Sequence, residues 1–274
     1  MSCDAYADLW KPFFTLLHRH WLDCPFPVYL GTGQLTCDDP SVTVLHSDGG
    51  RDWSRCALDY LGQISQAHVL VMLDDFFLRN PVCTSDVLHC LDFSKQHAAI
   101  QVRLIARPQP TDHLSDEKLI GESKAGSPYR LSTQAAIWNR EALCALLRTG
   151  ESIWDFEHAG NARAGSIPTG FFSVRQAVLP YEGRFAHHVV EKGKWLPSEK
   201  WIFRRQSIGC DFSRRETLSF QPTLFYYSAQ IFDRSLNIFP WRTKARIKRI
   251  FKSMLRPFFH RSIERLGQAP KHPS

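Results

Sequence analysis

Two adjacent carboxylates, Asp74 and Asp75, follow directly on the apolar run His68-Val-Leu-Val-Met-Leu73. Side by side, they can hold a divalent cation, and a cation held there can neutralise a diphosphate. The alternative is a solvated loop start or a cap for the segment that follows. A further acid, Glu157, closes Trp154-Asp-Phe-Glu157. Aromatic neighbours dry a carboxyl, raise its proton affinity and suit it to general-base work. The plainer reading is an amphipathic turn anchored by Trp154 and Phe156. Leu131-Ser-Thr-Gln-Ala-Ala-Ile-Trp138 sets hydroxyls and the Gln134 amide ahead of the Trp138 ring. Such groups bind sugar hydroxyls and stack on a pyranose, so Gln134, Trp138 and Trp154 are candidate acceptor contacts. A buried strand leading into a helix fits the same pattern.

Lys192 and Lys194 flank Gly193 in Glu191-Lys-Gly-Lys-Trp195 and are candidates to close on a phosphate. The stretch lacks the spacing of a nucleotide-triphosphate loop, and a solvated turn explains it equally. His187 and His188 just before it would face opposite sides of a strand, so only one can serve a site. His188 is the candidate metal ligand beside Asp74 and Asp75.

These groups need a scaffold. The apolar run 68–73 is too short for a membrane span and predicts a strand buried on both faces, with the acids at its carboxyl end. In open α/β sheets that edge binds ligands. Apolar spacing of three and four predicts a helix from Ala5 to Trp21, with Asp4 as N-cap and Pro12 as a kink or a late start. Short strands are expected at Pro27–Leu30 and Val42–His46. A helix over Asp52–Ile64, one over Ser85–His97 and a strand over Ala99–Ala106 complete a strand–helix alternation. Residues 108–129 read as loop, Ile137–Arg148 as a short helix and Glu151–His158 as one more turn. After Gly160 the pattern changes to short β-like pieces at 170–174, 177–181 and 186–190. The expected class is α/β, with a mainly parallel sheet flanked by helices. A helix normally follows a strand in such folds, yet only three residues precede this one, so the expected sheet lacks its first strand or the chain starts late.

The chain has 274 residues, a net charge of +7 and 43% hydrophobic residues. From Arg242 onward there are ten Lys/Arg and one Asp/Glu, leaving 24 Lys/Arg against 26 Asp/Glu in residues 1–241. A near-neutral body argues against a nucleic-acid partner. Residues 241–266 predict a basic amphipathic helix whose stripe includes Ile247, Phe251, Leu255 and Phe258, suited to an anionic membrane surface. Residues 267–274 read as a disordered tail. No secretory leader or membrane span is expected, and eight cysteines without Cys-x-x-Cys pairs read as reduced thiols of a cytoplasmic protein.

The ordered set of stretches resembles a family. Cys3-Asp-Ala-Tyr-Ala-Asp-Leu-Trp10 with Pro12-Phe13-Phe14, Pro25-Phe-Pro-Val-Tyr-Leu30, Asp52-Trp-Ser54, Leu73-Asp-Asp-Phe-Phe77, Leu131-Ser-Thr-Gln134 with Ile137-Trp138, Glu151-Ser-Ile-Trp-Asp-Phe-Glu157 and Lys192-Gly-Lys-Trp195 are similar to bacterial GT-A-type glycosyltransferase-like proteins of lipopolysaccharide and capsule synthesis. The likeness spans roughly residues 2–195. It implies a GT-A-like, Rossmann-like fold over 1–240, a nucleotide-sugar donor, a saccharide or lipid-linked acceptor and Mn2+ or Mg2+. Asp75, with Asp74, would stand where such folds place an Asp-x-Asp motif, although the spacing here is Leu-Asp-Asp. Glu157 would activate the acceptor, and Asp4 and Tyr6 would contact the nucleotide. The expected location is the inner face of the cytoplasmic membrane, as a peripheral protein. The alternative is a non-catalytic sugar-binding or membrane-adaptor protein of the same fold.

Overall fold

The computed structural model describes residues 1–127, 129–181 and 188–236, with Thr243, Arg246 and Ile247 beyond them. Apart from those three, the segments expected as a basic helix (241–266) and a tail (267–274) lie outside the described residues. The chain divides into two compact units, Met1–Tyr181 and Glu182–Ser274, a boundary that falls inside the single 1–240 body expected from sequence.

In the first unit a short 3-10 helix, Asp4–Leu9, leads into α1, Trp10–His20. Pro12 sits in the first turn of α1, where its missing N–H leaves no bond unmade, so it marks a late start and not a kink. Asp4 caps nothing here. β1 (Val28–Thr32) and β2 (Val42–His46) pair in parallel. They are covered by α2 (Trp53–Gly62), whose start is capped by the Asp52 carboxylate accepting from the Arg55 amide. Gly31 of β1 is required by close approach: a Cβ there would lie 2.5 Å from the Tyr60 ring of α2.

Then follow β3 (His68–Val71), α3 (Thr84–Gln96), β4 (Gln101–Arg103), β5 (Asp112–Leu114), β6 (Glu117–Glu122), β7 (Ala136–Asn139), α4 (Arg140–Leu146), α5 (Ile153–Gly165) and β8 (Phe171–Val174). They build a six-stranded sheet in the order β3-β7-β4-β8-β6-β5. Only β4 and β8 pair in parallel within it; the other neighbours are antiparallel. The α/β class stands, but the sheet is mixed where a mainly parallel one was expected. The reason lies in 108–135: β5 and β6 form a hairpin whose short turn sets them antiparallel, and 123–135 then crosses back without a helix, so that β7 runs in the same sense as β6 and against β3 and β4. β3 is an edge strand and half-buried throughout, not buried on both faces. On its open side Met1 donates its amino group to Met72 O at 2.7 Å, while the Ser2 amide bonds Gly31 O of β1 at 3.0 Å. Residues 1–2 thus fill the gap between the two sheets.

Strand alternation splits the core in two. Val102, Ile137, Phe172 and Val174 join α1 and α3 on one face of the sheet. Ala136, Trp138 and Phe171 join α2, α4 and α5 on the other. The expected helix over 137–148 therefore begins as a strand, and the expected turn at 151–158 is a 13-residue helix.

The second unit carries a hairpin, β9 (Val190–Glu191) and β10 (Lys194–Trp195), then α6 (Pro197–Arg205) and α7 (Phe220–Ser235). Trp195 is fully buried and packs edge-on against Phe203 and Phe212. α6 and α7 lie in a stretch, 197–235, for which no element was expected from sequence. No described helix is long and apolar enough to cross a membrane.

Candidate functional site

β7 runs antiparallel to both β3 and β4, and β4 runs parallel to β8, so β3, β4 and β8 point the same way. Their carboxyl ends share one edge. It carries Asp74 and Asp75 after β3, Arg103 at the end of β4 and Arg175 after β8. The segment 131–135 enters β7 from the same edge.

Asp74 is half-buried. Its Oδ2 accepts from the Ser2 hydroxyl, which accepts in turn from Trp10 Nε1 at 2.6 Å. Burial, and then the neighbouring Asp75 charge, push its carboxyl up to about 7, against the opposing pull of the Ser2 bond and the Met1 amino group. Two crowded carboxylates are a donor set that a cation relieves. Among the described residues no group of three His, Cys, Asp or Glu side chains comes together. A pair alone suits Mg2+ or Mn2+ held chiefly by substrate phosphates and water.

Glu157 is the better-built group. From α5 its Oε1 accepts three hydrogen bonds: Thr133 N at 2.8 Å, Thr133 Oγ1 at 2.8 Å and Ser132 Oγ at 3.1 Å. Its Oε2 has no hydrogen-bond partner among the described residues, which leaves it available. One helical turn on, Asn161 clamps the same loop, donating to Leu131 O at 2.8 Å and accepting from Leu131 N at 3.1 Å. The capping box of Ser152 and Asp155 fixes the start of α5. Leu73, next to Asp74, and Thr133, which holds Glu157, line the same small apolar cavity of about 10 Å³. The acid pair and the lone acid therefore flank one short stretch of the edge.

Two buried guanidiniums support this region. Arg103, 2% exposed, donates to Tyr129 O at 2.8 Å, Pro108 O at 2.6 Å and Ser173 Oγ at 3.2 Å. Burial pulls it down to about 10, opposed by Tyr181 and Glu157, so it stays charged at neutral pH. Arg130, also 2% exposed, bonds the carbonyls of Ser123, Ala164, Ile167 and Pro168 and lies over the Phe171 ring. Above it opens a cavity of about 420 Å³, lined by Ser127, Tyr129, Arg130, Glu157, His158 and Asn161 among others.

Several sequence candidates serve other ends. Trp138 is 2% exposed and packs among Leu143, Leu147 and Phe156, so it is core and offers no ring face to a sugar. Trp154 is 69% exposed on α5, one turn before Glu157 and His158. Gln134 lies at the edge, its Oε1 buried without a hydrogen-bond partner among the described residues. Asp4 is engaged by the loop after β1: its carboxylate accepts from the amides of Gly33 at 2.9 Å, Gln34 at 2.9 Å and Leu35 at 3.4 Å. Those bonds hold its carboxyl below the ordinary range against the opposing effect of burial. Tyr6 is half-buried in the 3-10 helix.

Lys192, Lys194 and His188 belong to the second unit. Lys194 pairs with Glu216 at 2.6 Å, and Lys192 turns the hairpin with φ 51°. His188 Nε2 lies 2.9 Å from Glu191 Oε2 and 3.3 Å from Tyr226 Oη, and the described residues do not bring it into an acidic cluster. The residues missed in the sequence are Tyr129, Arg103 and Arg130. An arginine within Ile100-Gln-Val-Arg-Leu-Ile105 was the available signal, since a cation in an apolar run must be bonded on all sides.

No family model matches the chain, and no curated protein matches it.

Proposed function

We propose that the protein is a glycosyltransferase that moves a sugar from a nucleotide-diphosphate donor to a saccharide or lipid-linked acceptor. One observation carries the reading: the Glu157 carboxylate is fixed through one oxygen, leaves the other available and lines a cavity, on the sheet edge that also bears Asp74 and Asp75. That arrangement suits a general base, which must be held within reach of an acceptor hydroxyl while keeping a lone pair for its proton. In an inverting reaction Glu157 takes the proton as the hydroxyl attacks the anomeric carbon. Asp75, with Asp74 beside it, would hold Mn2+ or Mg2+. When bound, such an ion stabilises the charge that develops on the leaving diphosphate. Ser132 and Thr133 keep the Glu157 carboxylate in one rotamer, and Arg103 fixes the loop at Tyr129.

The basic excess after Arg242 supports a place on an anionic membrane surface, on the cytoplasmic side. A second reading is a saccharide-binding protein of the same architecture without metal or catalysis; it is favoured by the small donor set, since among the described residues no third His, Cys, Asp or Glu joins the acid pair.

Donor hydrolysis with manganese or magnesium separates the two. With water in the place of the acceptor hydroxyl, Asp75→Asn and Glu157→Gln are each expected to lower that rate by about 100-fold or more. Equal rates in the wild type and both variants would remove the catalytic reading and leave the binding one. A thermal-shift screen of sugar nucleotides, with and without manganese, identifies the donor.

A further inference from the structure

We propose that the cavity over Tyr129 and Glu157 is a binding site for a neutral pyranoside, with the Tyr129 ring as its stacking platform. The inference deepens the transferase reading, on which it rests only for the sugar's role as acceptor; binding itself needs neither donor nor metal.

Four observations converge. At about 420 Å³ the cavity falls in the range of small-molecule sites. Tyr129 presents a largely exposed ring from a left-handed backbone, φ 53°. A bulky side chain in that region is a genuine outlier and persists only where its surroundings hold it. Here the hold is visible: the buried Arg103 guanidinium bonds Tyr129 O, and the next residue, Arg130, is pinned by four carbonyls. The chain therefore keeps an exposed aromatic in a strained position beside an available carboxylate oxygen.

The chemistry of the lining selects the ligand. Arg130 is the cation of the site, yet it is buried and engaged by carbonyls, so it contributes little to an anion in the cavity. Glu157 faces an anion with like charge, which disfavours phosphate and uronate. A carboxylate oxygen, the Ser127 hydroxyl and the His158 imidazole offer acceptors and donors to hydroxyl groups. The aromatic ring offers a flat apolar face to the C–H side of a sugar. An apolar ligand would leave these polar groups unpaired.

Saturation-transfer-difference NMR on the full chain, without nucleotide and without metal, tests this. The probes are methyl glycosides of the common hexoses, 6-deoxyhexoses and N-acetylhexosamines, beside amino-sugar and hexuronate controls. Transfer is expected to at least one neutral pyranoside. It should fall five-fold or more in Tyr129→Ala and return in Tyr129→Phe, which restores the ring. Ala162→Trp fills the cavity from the exposed side of α5 and should abolish transfer with melting temperature unchanged, so the test survives if Tyr129→Ala fails to fold. No transfer to any neutral pyranoside, transfer confined to the amino sugars or uronates, or transfer unchanged in both Tyr129→Ala and Ala162→Trp overturns the proposal. Transfer without donor turnover in any assay defeats the transferase reading and leaves this one standing; turnover without pyranoside binding does the reverse.

Discussion

Asp74 and Glu157 show how differently two carboxyls on one edge can be set. Glu157 receives three donors on one oxygen, whereas Asp74 receives the Ser2 hydroxyl against burial and a neighbouring acid. The contrast has a consequence for stability. The Asp74 carboxyl rises from 3.8 to about 7 on folding, so between those values the folded chain holds a proton that the unfolded chain releases. Stability from this group is present at low pH and is lost as the pH climbs toward 7. Allowing for its partial exposure, the loss should be on the order of 1–2 kcal/mol, a few degrees of melting temperature. Thermal melts of the wild type between pH 5 and pH 8 should fall by that amount more than those of Asp74→Asn. Parallel curves for the two proteins would mean that the Ser2 bond and the amino terminus compensate fully. Adding manganese at pH 8 should raise the wild-type melt and leave Asp74→Asn with a smaller gain.

At the scale of elements, α5 decides the site, because it delivers Glu157, His158 and Asn161 on one side. Its first turn is held by the reciprocal Ser152–Asp155 box, in which the Ser152 hydroxyl also donates to Asp155 at 2.6 Å. Ser152→Ala removes one half of that box and should cost about 1 kcal/mol, read as a shift in the urea midpoint at constant slope. Because Asn161 and the Thr133 bonds lie further along the helix, the loss should be one of stability and should leave Glu157 chemistry within a few-fold. A large drop in activity would place the Glu157 geometry under control of the first turn.

The elements also mark what was legible in the residues. Periodicity located α1, α2 and α3 and the strands β1 to β4, because those segments have one apolar stripe or one apolar run each. It placed Asp74 and Asp75 at a strand end and singled out Glu157. It failed where tertiary pairing decides. Glu117-Lys-Leu-Ile-Gly-Glu122 is polar at both ends and becomes a strand only because β8 and β5 flank it. Leu-Cys-Ala-Leu and Ala-Ile-Trp look alike by apolar content, yet Asn139 caps the amide of Ala142 and divides strand from helix between them. Tyr129 carries no periodic signal at all. Its importance comes from a backbone angle and from Arg103, 26 residues earlier, and neither is visible in local sequence.

For the whole molecule the uneven charge matters most. The near-neutral body and a carboxyl-terminal segment with ten Lys/Arg predict attachment that depends on anionic lipid. Flotation with vesicles containing phosphatidylserine should recover the full chain at low salt, lose most of it at about 0.5 M salt, and lose it without salt when the chain is cut after Pro240. Recovery unaffected by that cut would move the contact elsewhere, and α7 offers the next candidate: Phe220, Leu224 and Ile231 lie on one exposed face of it.

Trp154 has a practical consequence. It stands 69% exposed, one turn from Glu157 and His158, whereas Trp10, Trp21, Trp138 and Trp195 are all at most 5% exposed. The protein thus carries its own optical reporter at the rim of the cavity. Iodide, which quenches only indoles it can reach, should darken Trp154 and the exposed Trp201 of the second unit and spare the buried rings. With Trp201 and Trp241 replaced by phenylalanine, the quenchable signal would come chiefly from Trp154, with the half-buried Trp53 as the lesser contributor, and occupancy of the cavity could be followed by light without a label.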